Sequence, residues 1–165
     1  MTGADIAPVR VLLIGMMGAG KTSVGRVLAE RTGWPFLDND TLVQRWAGVE
    51  APQILRDRGE QALREAEAAA LMQGLETPPP AIIDVAGGVV TRPEDRKQLP
   101  ESGIVVWLRA RIETLAERVG TGEGRAWLRD DPEAALRSLY EGREELYRDA
   151  AALIVDVDDI GPEQV

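Results

Sequence analysis

The stretch GMMGAGKT, Gly15–Thr22, constrains the fold of this chain more than any other feature of its sequence. It matches the P-loop pattern Gly-x-x-x-x-Gly-Lys-Thr, follows the apolar run VRVLLIG and opens a segment with helical spacing. Glycines let such a loop curl until several backbone N–H groups point at one anion, and the following helix N-terminus adds positive charge. Lys21 is then expected to reach the β- and γ-phosphates of a nucleotide, and Thr22 to offer its hydroxyl to Mg²⁺.

Apolar runs of strand length alternate with helical segments along the chain. Five strands are predicted, which in chain order are VRVLLIG, PFLDND, AIIDVAGG, GIVVWLRA and ALIVDVD. Helical segments are predicted over 24–31, 41–76 with interruptions at Gly48 and near Pro52, 111–119 and 131–149. The Gly-rich stretch 120–131 predicts a mobile loop. Strands separated by helices imply parallel βαβ units, and no linker divides the chain, so we expect one α/β domain over residues 1–165.

Composition restricts the chemistry that is available. The chain has no cysteine and no histidine, which excludes disulfides, thiolate metal sites and a histidine general base. Proton transfer therefore falls to carboxylates, Lys, Tyr or the substrate itself. A net charge of −9 argues against a protein that coats nucleic acid, and no apolar run is long enough to span a membrane. Because the first ten residues also lack signal-peptide features, we expect a cytoplasmic protein without nucleic-acid or membrane partners.

Two carboxylates, Asp38 and Asp40, directly follow the second predicted strand. In an open parallel sheet, ligands bind at the carboxyl ends of strands, so one acid could hold Mg²⁺ and the other accept a proton from an attacking hydroxyl. The alternative is that Asp-Asn-Asp caps the helix that starts near Thr41. The P-loop favours the functional interpretation. Asp84 ends the third strand, where many P-loop proteins carry an acid near Mg²⁺, and is a candidate to supplement Asp38.

A P-loop alone does not distinguish kinases from GTPases and motor ATPases. A GTPase would need an Asn-Lys-x-Asp motif, and neither Lys21 nor Lys97, the two lysines of the chain, lies in one. The chain is also short for a motor domain. A small P-loop kinase fits best, while a GTPase switch and a nucleotide-binding regulatory module without catalysis stay open as alternatives.

A set of motifs in fixed order resembles the shikimate kinase family from about Val11 to Asp158. The matching segments are GMMGAGKTSVGRVLAERTGWPFLDND, RGEQALREAEAAAL, AGGVVTRPEDR, RAWL and REELYRDAAALIVDVD. They are similar to the family's P-loop with its F-D-x-D, its GE..FR..E segment, its Gly-rich loop, its lid and its C-terminal LYR..A segment. We therefore expect a P-loop three-layer α/β sandwich with a five-stranded parallel sheet in the order 2-3-1-4-5. Substrate-binding helices would span about 41–76 and a lid about 120–130.

The resemblance implies a role for each matching residue. The ATP-binding set would be Gly15, Gly18, Ala19, Gly20, Lys21, Thr22, Ser23, Arg118 and Arg125. In this set Arg118 would lie against the adenine, and Arg125 would belong to the lid. Thr22 and Asp38 would serve Mg²⁺. The substrate-binding set would be Asp40, Arg64, Gly87, Gly88 and Arg143, with the two arginines on the substrate carboxylate. The catalytic set would be Lys21, Asp40 and Arg125, with Arg148 as weaker support. Without the resemblance, the helical spacing of Arg64 from Glu60 and Glu67 is also consistent with a surface ion pair.

The reaction that the resemblance implies is transfer of the ATP γ-phosphate to the 3-hydroxyl of shikimate, with ATP and Mg²⁺ as cofactors and a monomeric enzyme. Three departures from the family pattern lie on the acceptor side. Ala86 replaces the first loop glycine, Leu63 replaces an aromatic residue, and Ala126-Trp127 replaces Pro-Leu in the lid. They leave open a related kinase for another small carboxylated polyol, such as gluconate.

Overall fold

The computed structural model describes residues 8–120 and 131–165, and a five-stranded parallel sheet lies at its centre. The strands are β1 (Arg10–Ile14), β2 (Phe36–Leu37), β3 (Ala81–Asp84), β4 (Ile104–Arg109) and β5 (Leu153–Asp156). They lie in the order β2-β3-β1-β4-β5, and every neighbouring pair is parallel. In the register, Leu12 of β1 pairs with Ile83 of β3 and Val105 of β4. The predicted fold class, number of strands and strand order are confirmed.

Helices connect and flank the strands. The α-helices of the described residues are α1 (Lys21–Thr32), α2 (Asn39–Ala47), α3 (Ala51–Leu75), α4 (Pro93–Ser102), α5 (Ile112–Val119), α6 (Pro132–Glu141) and α7 (Glu144–Ala150). Short 3₁₀ turns occupy Val89–Thr91 and Pro162–Gln164. Within residues 8–120 and 131–165, no helix combines the length and the apolar character needed to cross a membrane.

The main core surrounds the central strands. Leu12, Leu13 and Ile14 of β1 are consecutive and all buried. Because alternate side chains of a strand point to opposite faces, burial of consecutive residues means that both faces of the sheet are covered. Trp107 of β4 is fully buried and stacks on the ring of Tyr147 in α7 at 5.6 Å between centroids. These contacts hold the carboxyl ends of β1, β3 and β4 in fixed relative positions.

A second, smaller apolar cluster holds α2 against α3. Its buried members are Leu42, Val43, Ile54, Leu63, Ala66 and Ala70. The interruptions predicted in this segment are present, since Gly48 ends α2 in the left-handed conformation and Pro52 lies in the first turn of α3. The structure adds a kink at Gly59, with φ 86° and ψ 179°, which was not predicted. The kink separates the start of α3 from the part that carries Arg64.

Two sequence predictions about helices were wrong. The helix predicted over 131–149 is two helices, because Arg143 leaves helical geometry with φ −124° and caps α7. The break follows Gly142 and leaves the Arg143 side chain buried. Helix α4 was missed because Leu99 is its one buried apolar residue, so the helix has almost no apolar periodicity. Its start signal was present, since Pro93 is followed by two acidic residues.

Candidate active site

The P-loop joins β1 to α1 and has the backbone geometry that its glycines predict. Gly15, Gly18 and Gly20 all have positive φ, at 144°, 83° and 92°. At Gly15 a side chain is excluded by space as well, because a Cβ would lie 2.6 Å from the carbonyl oxygen of Leu108. Lys21, the first residue of α1, donates from Nζ to the carbonyl oxygens of Gly15 (3.0 Å) and Met16 (3.3 Å). The ammonium group therefore lies against the loop that would surround a phosphate.

A cavity of about 900 Å³ opens beside this loop, at the carboxyl ends of the strands. Residues from the P-loop, α2, α3, the loop after β3, α5 and the α6–α7 region line it. Among the predicted site residues, the lining includes Gly18, Gly20, Lys21, Thr22, Ser23, Asp40, Arg64, Gly87, Gly88, Arg118 and Arg143. Gly15, Ala19 and Asp38 are not part of the lining in the described chain. Arg125 and the predicted lid at 120–130 fall on residues 121–130, outside the described residues, apart from Gly120.

The corner beside Thr22, where Thr22 and Asp38 are predicted to hold Mg²⁺, also contains Asp84. The Thr22 hydroxyl donates to Oδ2 of Asp84 at 2.7 Å. Asp38 instead caps α2, because its Oδ1 accepts from the backbone N–H of Thr41 (2.9 Å) and from its hydroxyl (3.2 Å). The predicted cap is therefore present, and the role of Asp38 at Mg²⁺ stays a prediction. Burial raises the pKa of Asp84, and the charge of Lys21 and the Thr22 hydrogen bond oppose that rise.

The donor set fits Mg²⁺. Mg²⁺ keeps several waters and takes one or two protein oxygens together with substrate phosphates, so a protein cage is not required. Within residues 8–120 and 131–165 there is accordingly no group of three acidic residues arranged around a metal, but the Thr22 hydroxyl and the Asp84 carboxylate lie together beside the P-loop. Asp38 and Asp40 are close enough to raise the pKa of Asp84 by their charge. A cation at this corner would offset both the unfavourable burial of the Asp84 carboxylate and its repulsion by Asp38 and Asp40.

At the acceptor end, two arginines face one buried carboxylate. Nη1 of Arg64 lies 2.5 Å from Oε2 of Glu67, and Nη2 lies 3.2 Å from Oε1 of the exposed Glu60. Arg64 therefore forms the predicted ion pair and also lines the cavity. Glu67 and Arg143 are 8% and 7% exposed, and both line the cavity as well. Burial raises the pKa of Glu67, against the charges of both arginines. Arg64 and Arg143 thus bring two guanidinium groups to the cavity, and a guanidinium group can bind a carboxylate through paired hydrogen bonds.

The loop after β3 brings Gly87 and Gly88 to the same end. The hydroxyl of Tyr147 donates to the carbonyl oxygen of Gly87 at 2.7 Å and lies 3.6 Å from Sδ of Met16. The phenol is fully buried, and burial raises its pKa to about 12. A single side chain of α7 thus contacts both the P-loop and the loop after β3. A methyl group on Gly88 would overlap the guanidinium of Arg64, so this guanidinium lies directly against the backbone of Gly88.

Two residues at this end were not predicted from the sequence: Glu67, which lines the cavity, and Tyr147, which contacts the loop at Gly87. The signal for Glu67 was its i,i+3 spacing from Arg64, which was interpreted only as a surface ion pair. The signal for Tyr147 was its place in REELYRDAAALIVDVD. The burial of both residues depends on packing between distant segments, which local spacing does not reveal.

Two arginines predicted on the nucleotide side have different surroundings. Arg118 of α5 lines the cavity, and its Nη2 donates to the carbonyl oxygens of Val157 (2.5 Å) and Asp158 (3.3 Å). Arg148 is not part of the lining in the described chain. It lies 5.7 Å above the ring of Trp107 and pairs with Glu144 at 3.1 Å. The structure therefore brings Arg118 to the site and leaves Arg148 outside it.

Comparison with known sequences gives one consistent family. The model of the shikimate kinase family matches residues 17–165. The chain is 38% identical over 164 residues to a shikimate kinase of Ruegeria pomeroyi, which covers 99% of this chain and 84% of that protein. It is 40% identical over 149 residues to a shikimate kinase of Burkholderia thailandensis, which covers 90% of this chain and 80% of that protein.

Comparison with solved structures gives the same family. A shikimate kinase from Acinetobacter baumannii in complex with shikimate superposes with a TM-score of 0.90 at 33% identity, over 96% of this chain and 88% of that chain. A shikimate kinase from Aquifex aeolicus superposes with a TM-score of 0.77 at 29% identity, over 94% and 90%. A gluconokinase from Sinorhizobium meliloti superposes with a TM-score of 0.59 at 22% identity, over 96% and 87%, which is a likeness of fold alone.

Proposed function

The chain belongs to the shikimate kinase family, and from that premise we infer that it transfers the γ-phosphate of ATP to the 3-hydroxyl of shikimate. Its cofactors are ATP and Mg²⁺. The observation that carries the inference is one cavity with the P-loop at one end and Arg64, Glu67 and Arg143 at the other. The P-loop end of this cavity suits a phosphate donor, and the end with the two arginines suits an acceptor that carries a carboxylate. The alternative acceptor, gluconate, also has a carboxylate for the arginines, but the likeness to a gluconokinase is one of fold alone, and family membership favours shikimate.

On the donor side, the residues of this chain act by positioning and electrostatics. Phosphoryl transfer needs its developing charge neutralised more than it needs a strong base. We propose that the P-loop N–H groups hold the phosphates and that Lys21 moves from the loop carbonyls to the transferred phosphoryl group. Thr22 and, by the family resemblance, Asp38 would hold Mg²⁺, and the cation would neutralise part of the charge on the phosphates.

On the acceptor side, Asp40 is the proposed partner of the attacking hydroxyl. It is the second residue of α2 and lines the cavity. In this proposal it orients the hydroxyl and accepts its proton. Arg64 and Arg143 bind the substrate carboxylate through charge-assisted hydrogen bonds, and the loop at Gly87 and Gly88 approaches the ring closely because it has no side chains.

The remaining proposals rest on the family resemblance and the composition. Arg118 would contact the adenine, and Arg125 in a lid at 120–130 would reach the phosphates and help exclude water. The chain would act as one kinase domain over residues 1–165, as a cytoplasmic monomer without nucleic-acid or membrane partners. Light scattering on the purified protein tests the monomer directly.

The main test is an assay of ADP release with MgATP and a panel of shikimate, quinate, gluconate and no acceptor. We expect turnover with shikimate well above the no-acceptor rate. Turnover with gluconate or quinate alone would overturn the acceptor assignment and would mark Ala86 and Leu63 as signs of a changed pocket. ATP binding without turnover on any acceptor would favour the regulatory-module alternative, and a preference for GTP would favour the GTPase switch.

The Asp40→Asn variant tests the proposed chemistry. It keeps the size of the side chain, so ATP affinity measured by calorimetry should match wild type while turnover with shikimate is lost. Full activity of Asp40→Asn would remove Asp40 from the mechanism.

A further inference from the structure

Asp84 is placed where a P-loop enzyme handles its metal. It is the last residue of β3 and pairs in register with Leu13 of β1, the strand that runs into the P-loop. It is 7% exposed and lines the cavity. Its Oδ2 accepts the hydroxyl hydrogen of Thr22 at 2.7 Å, and Thr22 is the P-loop residue whose hydroxyl is suited to Mg²⁺.

Asp38, the acid that the family resemblance assigns to Mg²⁺, is near the same corner, but one of its carboxylate oxygens is used in a helix cap. It follows β2, at the edge of the sheet, and its Oδ1 caps the first turn of α2 through Thr41. A cap of this kind stabilises its helix by about 1 kcal/mol, which is a sufficient reason for an aspartate at this position. Asp38 is also absent from the cavity lining in the described chain.

Charges of both signs surround Asp84. Lys21 is near enough to act on its carboxyl, and so are Asp38 and Asp40. Mg²⁺ takes one or two carboxylates together with water and phosphate oxygens, so a carboxylate that contacts the P-loop threonine suits this ion.

We propose that Asp84 contributes more than Asp38 to the affinity of this enzyme for nucleotide-bound Mg²⁺. The proposal rests on the function proposed above and assigns a further residue to its metal site. Asp84 would hold Mg²⁺ together with Thr22, and Asp38 would contribute less because its Oδ1 caps α2.

The test compares Asp84→Asn with Asp38→Asn by calorimetric titration of ADP in Mg²⁺ and in EDTA. Both variants remove one charge and keep the side-chain size. The asparagine at 84 can still accept from Thr22, and the asparagine at 38 can still cap α2. We expect wild type to bind ADP more tightly in Mg²⁺. In Asp84→Asn, the gain in ADP affinity on adding Mg²⁺ should be smaller by at least about tenfold, which corresponds to about 1.4 kcal/mol. The affinity of this variant for ADP in EDTA should match wild type. Asp38→Asn should keep most of the gain.

A second readout does not depend on turnover. Electron paramagnetic resonance measures how much Mn²⁺ binds to the protein–ADP complex. Less Mn²⁺ should bind in Asp84→Asn, and the bound amount in Asp38→Asn should match wild type. Thermal unfolding in EDTA checks the fold, and Asp84→Ser replaces Asp84→Asn if the latter does not fold.

Loss of the Mg²⁺-dependent gain in Asp38→Asn but not in Asp84→Asn would overturn the proposal, and so would an unchanged gain in both variants. Failure of wild type to bind ADP at all would instead refute the proposed kinase function, so the two failures are distinguishable.

Discussion

Replacing Gly88 with alanine should displace Arg64 without disturbing the backbone. Gly88 has φ −84° and ψ −14°, which alanine adopts without strain. The three atoms nearest to an added Cβ all belong to the Arg64 guanidinium, and even its Nε would be only 2.9 Å away. Ordinary contact requires about 3.5 Å or more, so the end of this flexible side chain must move. The change therefore moves Arg64, and it also adds a methyl group to the loop that is proposed to approach the substrate ring, so a double-mutant cycle is needed to separate the two effects.

The size of the effect follows from the interaction that Arg64 is proposed to make. A hydrogen bond between charged groups contributes about 1.5–3 kcal/mol. Its loss predicts a fall in kcat/KM for shikimate of roughly 10- to 150-fold, since each 1.4 kcal/mol is a factor of ten. Stability should change little, because Gly→Ala at an ordinary φ favours folding by about 0.4–1 kcal/mol and the strain falls on a movable side chain.

The assay varies shikimate at saturating MgATP and then varies ATP at saturating shikimate. The KM for ATP should stay within about twofold of wild type, because the P-loop is untouched. Gly161→Ala is the matched control, since among residues 8–120 and 131–165 the one atom within 4 Å of its added Cβ is Oε1 of Gln164, at 3.7 Å. A double-mutant cycle with Arg64→Ala shows whether the methyl acts through the arginine, in which case the two losses are not additive.

An unchanged kcat/KM for shikimate in folded Gly88→Ala would refute the assignment of Arg64 to the substrate carboxylate. Additive losses in the cycle would show that the methyl obstructs the pocket directly and not through Arg64. An equal fall in ATP affinity would mean that the disturbance reaches the P-loop.

Three further predictions concern buried groups. Tyr147→Phe removes the hydroxyl that donates to the carbonyl oxygen of Gly87, so it should lower the free energy of unfolding by about 1–3 kcal/mol and raise the KM for shikimate but not for ATP. Tyr140→Phe, at the other tyrosine, is the control. Equal effects on the KM for both substrates would contradict the idea that Tyr147 positions the loop after β3. Burial raises the pKa of Glu67, so its contribution to stability is complete below its ordinary value of 4.5 and is lost as pH rises through the folded-state pKa. The melting temperature of Glu67→Gln relative to wild type should therefore increase between pH 4 and pH 7, and a difference independent of pH would count against this reasoning. Gly25→Ala would place a methyl group inside contact distance of the Phe36 ring, with Cζ at 2.8 Å, and should cost about 1–3 kcal/mol in urea unfolding. Adding Phe36→Leu should recover part of that loss, and no change in the urea midpoint for Gly25→Ala alone would disprove the clash.

Features that depend on neighbouring residues were predictable from the sequence. The P-loop needs positive φ at fixed positions, and the glycines at 15, 18 and 20 provide it. The alternation of apolar runs with helical segments was sufficient for a parallel α/β fold, and the strand order expected together with the family resemblance is the one observed. Gly48 and Asp131 mark a helix end and a helix start by the same local chemistry, an αL cap in one case and a side-chain N-cap in the other.

Features that depend on distant segments were decided by the tertiary structure. Thr22 meets Asp84, which is 62 residues away, and Tyr147 meets Gly87, which is 60 residues away. Neither pair has a signal in local spacing, because each forms only when packing of the sheet and helices brings a helix against the end of β3 or the loop that follows it. The same holds for the break at Arg143, whose side chain is buried against the site and not exposed on one long helix. The sequence by itself thus determined the phosphate-binding loop and the class of fold, since these follow from the conformations that each short segment can adopt. The partners of the buried charges were decided only by tertiary packing, since burial is a property of the whole folded chain.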